Sequence, residues 1–244
     1  MKVIYSPQYN IDLGPLNMLH PFDGRKFRKV FEATRHLAEV ELLAPSGPVS
    51  SETIDEFVGS LLKRLIRGKR YILQALEIPY LPLLPFSLFD NRILLPMRWG
   101  VAGTILGAEI ALKESLCWNL AGGYHHASRD AAEGFCIYND IGIAYDQLLK
   151  RGLLDADDKV LVVDVDAHHG NGNAHVFMDN SNVTLLDVFN DDIYPASHYT
   201  KERVDIPVRL RSGVQGDAYL SKSDLALRQL ESRSRLALLI ARTD

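Results

Sequence analysis

The sequence predicts an α/β fold, with three α/β/α layers around a central, mostly parallel sheet. Two observations carry that expectation. The short runs "VLVVDVD", "VTLLDVF" and "RLALLIA" are aliphatic without alternating with polar residues, as parallel strands covered on both faces are. Segments of helical periodicity lie between them, so strands and helices alternate along the chain. The length of 244 residues, with 47% hydrophobic and 24% charged, suits one such domain.

The elements follow in order. Lys2 to Ser6, "KVIYS", reads as a first strand ended by Pro7. A loop bearing Pro21 and Gly24 precedes a helix marked by Phe27, Val30, Phe31 and Leu37. Residues 44–56 form a polar loop in which Ser51 or Thr53 offers a cap for the next helix. The stretch "IPYLPLLPFSLFDNRILLP" holds four prolines among apolar residues and reads as an irregular apolar loop. "VAGTILGAEIALKES" is a small-residue helix suited to close packing on a sheet, and the strand "LCWNL" follows it. Helices are then expected over "IGIAYDQLLKRGL" and "DLALRQLESRS", around the three aliphatic strands named above.

Composition narrows the function. A formal charge of -4 and a pI near 6.1 offer no basic face for a phosphate backbone, so nucleic acid is not expected as a direct ligand. The apolar runs fall short of the ~18 residues a membrane span needs, and "MKVIYSPQYNI" lacks the pattern of a signal peptide. Cys117 and Cys136 are too few for a disulfide framework and are expected as reduced thiols in a cytoplasmic protein.

Two polar clusters interrupt this background. In "VLVVDVDAHHGNG" four aliphatic residues lead into Asp164, Asp166, His168, His169 and Asn171. Burying a carboxylate is costly unless it is paired or bound to a metal. Residues two apart in a strand share a face, so Asp164 and Asp166 point together, and His168 joins them if the chain stays extended. Carboxylate plus imidazole at the carboxyl end of a strand suits zinc or another transition metal; a helix cap and polar turn is the alternative. The second cluster, "AGGYHHASRDAAEGFCIYND", places His125 beside His126 after Gly122-Gly123. Neighbouring imidazoles suit acid–base work near neutral pH, although a His-His pair in a loop also serves as a polar turn.

Together the clusters resemble the histone deacetylase family of zinc-dependent amidohydrolases, within the arginase/deacetylase superfamily. The matching text is Gly122-Gly123-Tyr124-His125-His126-Ala127, Gly134-Phe135-Cys136 with Asn139-Asp140, and Asp164 through Gly172. "YSPQYNI", "LHPFDGRKF" and "FMDNSNVTLLDVFNDDIYP" are most similar to the class IV branch. The resemblance implies a deacylase that removes acetyl or longer acyl groups from a lysine or a small amine. Asp166, His168 and Asp244 would hold Zn2+, with Fe2+ as the alternative ion. Asp164 would support His125 and contribute to a structural K+ site, and Asn171 would stand behind His126. His126 would then be the principal acid–base group, with His125 its electrostatic partner. Phe135 and Tyr194 would line a tunnel for the acyl-lysine stem, and the Gly134 carbonyl would receive the substrate amide.

The pattern also departs from the family. The third ligand normally lies in text like Asn-Ala-Gly-Thr-Asp, and here the chain reads Ile240-Ala241-Arg242-Thr243-Asp244. No counterpart of the family's catalytic tyrosine follows, so the domain is expected to be incomplete at its C-terminal end and of reduced or no activity as this chain. A non-catalytic acyl-lysine or acyl-amine binding module and a degenerate fragment are the competing expectations.

Overall fold

The computed structural model describes residues 1–12, 14, 17, 23–37 and 39–230, together with the backbone of the strand at 236–240. Part of "LHPFDGRKF" (residues 19–22), the last residues of the helix expected over "DLALRQLESRS" (231–234) and the final "ARTD" lie outside the described residues. The chain divides into two compact units, Met1–Leu153 and Leu154–Asp244.

The first unit is built on a three-stranded parallel sheet. Its middle strand β1 (Lys2–Ile4) pairs with β2 (Glu41–Leu43) on one side and β3 (Cys117–Asn119) on the other. Val3 and Ile4 are wholly buried beneath Tyr5, Tyr9, Phe27 and Leu120, and Tyr5 stacks on Phe31 at 4.1 Å. Phe27 and Phe31 come from the expected helix, α1 (Lys26–Thr34). Next come α2 (Ser51–Phe57), α3 (Ser60–Leu65) and α4 (Lys69–Ala75). The cap of α2 is Ser50, whose hydroxyl accepts from the Thr53 N–H, so it lies one residue ahead of the Ser51 expected.

The proline-rich stretch is more ordered than the sequence suggests. Helix α5 (Phe86–Phe89) starts directly after Pro85, a π-helical turn spans Asp90–Leu94, and α6 (Leu95–Glu114) follows. Pro85 stands at the cap, and the wide turn just before Pro96 accommodates a residue with no N–H to donate. By length and composition the run Phe86–Glu114 could cross a membrane, contrary to the estimate from sequence, and 56% of its most apolar stretch is buried inside the protein. Its small residues allow close approach. A Cβ on Gly103 would overlap the Tyr9 hydroxyl and the Asn119 side chain, and one on Gly100 would lie 2.6 Å from the Tyr124 hydroxyl. Helix α7 (Asp140–Lys150) closes the unit, capped by Asn139.

The second unit carries a four-stranded parallel sheet. Its strands are β4 (Val160–Asp164), β5 (Val183–Asn190), β6 (Ile206–Leu210) and β7 (Leu236–Ile240), in the order β6-β5-β4-β7. Helices α8 (Asn171–Val176), α9 (His198–Glu202) and α10 (Gly216–Leu227) alternate with them. The described strands therefore form two parallel sheets, one in each unit, in place of one continuous ladder. Helix α10 begins at Gly216, eight residues ahead of the expected Asp224, after a turn in which Gly213 has φ +87°.

Candidate active site

In the first unit, β3 delivers the chain into the loop that carries His125 and His126. Both rings are buried, at 1% and 4% exposure, and their centroids lie 4.1 Å apart with the planes tilted by 45°. Imidazoles held in this way have a fixed geometry, as a positioned acid–base group needs. Against them sits a tight turn. Glu133 and Cys136 exchange backbone hydrogen bonds of 3.1 and 2.9 Å, and the two residues between them, Gly134 and Phe135, have φ of +53° and +61°. Two consecutive left-handed residues make a turn of the I′ kind, in which a phenylalanine is costly and an observed outlier points to function. The Phe135 N–H donates to the Ala75 carbonyl at 3.1 Å, which ties this turn to the end of α4. A Cβ on Gly134 would overlap the His126 ring. The structure thus brings together four predicted residues, His125, His126, Gly134 and Phe135.

In the second unit, β4 ends at Asp164 and the extended path stops there. His168 nevertheless joins the carboxylates, because side chains build the turn. The Asp166 N–H donates to Asp164 Oδ1 at 3.1 Å, and the His168 N–H donates to Asp166 Oδ1 at 2.7 Å. These bonds are the polar-turn alternative made real. The same turn brings His168 Nδ1 within 3.1 Å of Asp166 Oδ1. Asp164 and Asp166 are buried at 3% and 2% exposure, whereas the His168 side chain is one-third exposed. Asn171, buried, opens α8. Tyr194 stands 44% exposed in the segment between β5 and α9. Asp244 lies outside the described residues.

The family model for the histone deacetylase domain matches residues 85–233, well over half of the chain and the whole of both clusters. The chain belongs to the histone deacetylase family. Among relatives, it is 31% identical over 229 residues to Histone deacetylase 2 of Arabidopsis thaliana, covering 93% of this chain and 58% of that protein. It is 36% identical over 115 residues to the acetoin utilization protein AcuC of Staphylococcus aureus, covering 43% of this chain and 28% of AcuC. The chain thus spans only part of the length of the curated relatives it matches. The crystal structure of the HDA15 HD domain superposes with a TM-score of 0.71 over 99% of this chain and 73% of that one, at 17% identity. That likeness confirms the α/β fold expected of the family.

A histone deacetylase site calls for a metal, and the residues present can be tested against one. Two ligands on a tetrahedral ion with bonds of 2.0–2.1 Å stand about 3.4 Å apart. The 3.1 Å between His168 Nδ1 and Asp166 Oδ1 fits that edge. Among the described residues no group of three such side chains converges; Asp166 and His168 are the two predicted ligands found together.

Behind this pair lies a polar cluster that the sequence reading did not single out. His169, 1% exposed, pairs through Nδ1 with Asp187 Oδ2 at 2.6 Å and through Nε2 with the Thr200 hydroxyl at 2.9 Å. Asp187 Oδ2 also accepts the Gly170 N–H at 2.9 Å, while the buried Oδ1 has no hydrogen-bond partner among the described residues. Burial, and next the neighbouring Asp164 carboxylate, push the Asp187 acid well above the ordinary carboxylate range. A cavity of about 10 Å³, near the size of one water, is lined by Asp164 and Asp187 together with Gly170 and Asn173. The signal was available in the sequence: Asp187 interrupts the aliphatic run "VTLLDVF", where an unpaired carboxylate would be costly.

Proposed function

We propose that this protein is a zinc-dependent deacylase of reduced turnover that hydrolyses the amide joining an acetyl or longer acyl group to a lysine side chain or a small amine. The observation that supports it most directly is the buried His125–His126 pair seated against the Gly134-Phe135 turn. Asp166, His168 and Asp244 are assigned as the residues that hold Zn2+, or Fe2+ in its place. When bound, such an ion polarises the acyl carbonyl and lowers the pKa of a water molecule.

His126 would accept a proton from the attacking water and return one to the amine as the C–N bond breaks. His125 stabilises the charge that His126 acquires, and Asp164 and Asn171 keep the orienting roles of the family pattern. The Gly134 carbonyl accepts the substrate amide N–H. Phe135 and Tyr194 offer aromatic surface to the apolar methylenes of the lysine stem, which gain from leaving water. Asp164 and Asp187 are the candidates for a structural K+: a cation beside them offsets the cost of crowding two buried carboxylates. The cytoplasm, an acylated protein or amine as substrate, no direct nucleic acid binding and no membrane complete the proposal.

The test is release of acetate and of a longer acyl group from acyl-lysine peptides, with metal content measured on the same samples. Asp166→Asn and His168→Ala are expected to lose both metal and turnover. Equal zinc stoichiometry in the parent and both variants would refute this ligand assignment, and no release above the variants' level would refute the deacylase proposal.

A further inference from the structure

We propose that Asn139 and Asp140 are positioning residues that clamp the His125–His126 pair from both of its flanks; only the activity readout of this inference rests on the deacylase proposal. The two residues stand at the start of α7, Asn139 as its cap and Asp140 as its first residue, and both are buried. Asp140 reaches back to the chain just ahead of the histidines. Its Oδ1 accepts the Tyr124 N–H at 2.7 Å, and its Oδ2 accepts the Gly123 N–H at 3.0 Å and the Thr104 hydroxyl at 2.7 Å. The backbone lies directly on the carboxylate: Gly122 has φ +96°, and a Cβ there would overlap Asp140 Oδ2. Asn139 holds the other flank. Its Nδ2 donates to the carbonyl of Ala127, the residue after His126, at 2.7 Å, while its Oδ1 accepts the Gly142 N–H at 2.6 Å.

Capping alone explains only the last of these bonds. An N-cap needs one oxygen aimed at an N–H of the first turn. The Asn139 amide bond to Ala127 and the donors converging on Asp140 serve the loop instead. A wholly buried carboxylate is tolerated where several donors satisfy it and where a helix N-terminus favours negative charge, and Asp140 has both. Two consecutive side chains of one helix end thereby fix residues 123, 124 and 127, so residues 125 and 126 inherit the rigidity of α7.

The experiment compares Asn139→Asp and Asp140→Asn with the parent chain. Asn and Asp cap about equally well, so Asn139→Asp keeps the helix cap and turns the donor facing Ala127 into an acceptor. Asp140→Asn keeps the shape and points an NH2 at the backbone N–H of Gly123 or Tyr124, which can only donate. Three readouts are taken: the imidazole resonances and titration of His125 and His126 by NMR, the split of kcat and KM on an acetyl-lysine peptide, and the thermal midpoint with metal content. Both variants are expected to shift the two imidazole spectra and to lower kcat about 10- to 100-fold, the scale of a small misplacement, with KM and metal content little changed. Unchanged imidazole resonances in a folded Asn139→Asp protein overturn the clamp. If Asp140→Asn does not fold, Asn139→Asp decides alone. If the parent hydrolyses nothing, the deacylase proposal fails, and the imidazole spectra still decide the clamp.

Discussion

Gly134 lies so close to His126 that a single methyl group on it would overlap the imidazole ring. The contact is between backbone and ring, with no side chain on the glycine to move aside, and Gly134 also has φ +53°. Gly134→Ala therefore carries two costs: strain of about 1–3 kcal/mol for a left-handed non-glycine residue, and displacement of His126. Gly152 separates them, because it has φ +64° and nothing within 4 Å of its Cβ position. The expected outcome is similar strain in both alanine variants, with a loss of about 10²-fold in deacylase turnover for Gly134→Ala alone. Equal activity in the two would show that the approach to His126 is irrelevant to the chemistry.

The proton-transfer assignment makes its own prediction. His126→Ala is expected to lose about 10²- to 10⁴-fold in kcat and to keep its metal, as general acid–base groups do. Tyr124→Phe changes a buried neighbour in the same loop, whose hydroxyl lies beside Gly100, and is expected to cost far less. Full activity in His126→Ala would pass the role to His125.

Much of this was legible in the sequence, for definite physical reasons. β1, β3, β4, β5 and β7 fall in the apolar runs of the sequence, and β4 and β5, buried along most of their length, show why: strands covered on both faces admit little else. β2 has only three residues, and β6 holds Pro207 and Arg209, which an edge strand tolerates where a central one would not. The prolines of residues 78–96 suggested a loop, because the rule against proline applies to helix interiors; Pro85 falls at a cap and Pro96 just after a wide turn. At the site, the cost of burying Asp164 and Asp166 was visible at once. Asp187 obeys the same rule and went unmarked because its partners His169 and Thr200 are distant in sequence. The left-handed backbone of Phe135 leaves no trace in composition or periodicity.

Asp187 yields a prediction about cations. Its Oδ1 is buried without a hydrogen-bond partner among the described residues, and it shares the lining of a water-sized cavity with Asp164. A bound K+ stabilises the folded state by RT ln(1 + [K+]/Kd), about 2.7 kcal/mol at a hundredfold excess over Kd. The thermal midpoint is expected to be higher in KCl than in choline chloride of equal ionic strength. Asp187→Asn removes one charge and keeps an oxygen for the Gly170 N–H, and it should abolish the difference. Superimposable melting curves of the parent in the two salts would remove K+ from the proposal.

Asp191 sets an acid limit on the second unit. It accepts from Lys201 Nζ at 2.7 Å, with side-chain exposures of 20% for the aspartate and 9% for the lysine. The hydrogen bond from Lys201 pulls the Asp191 acid below the usual carboxylate value of 3.8, and the charges of Lys201, Arg209 and Arg211 act in the same direction. A carboxylate whose folded pKa is depressed contributes stability that is present above its unfolded value and lost as pH falls through the folded one. Asp191→Asn removes this titration and leaves Lys201 in place. At pH 7 the variant should therefore be less stable than the parent by about 1 kcal/mol, a midpoint lower by about 2–4 °C for a chain of this size. Below pH 4 the gap should narrow as Asp191 protonates in the parent. Thermal melts at pH 7, 5, 4 and 3 measure this, and a gap that stays constant or widens toward acid would show that the Asp191–Lys201 pair is not the source of the stability.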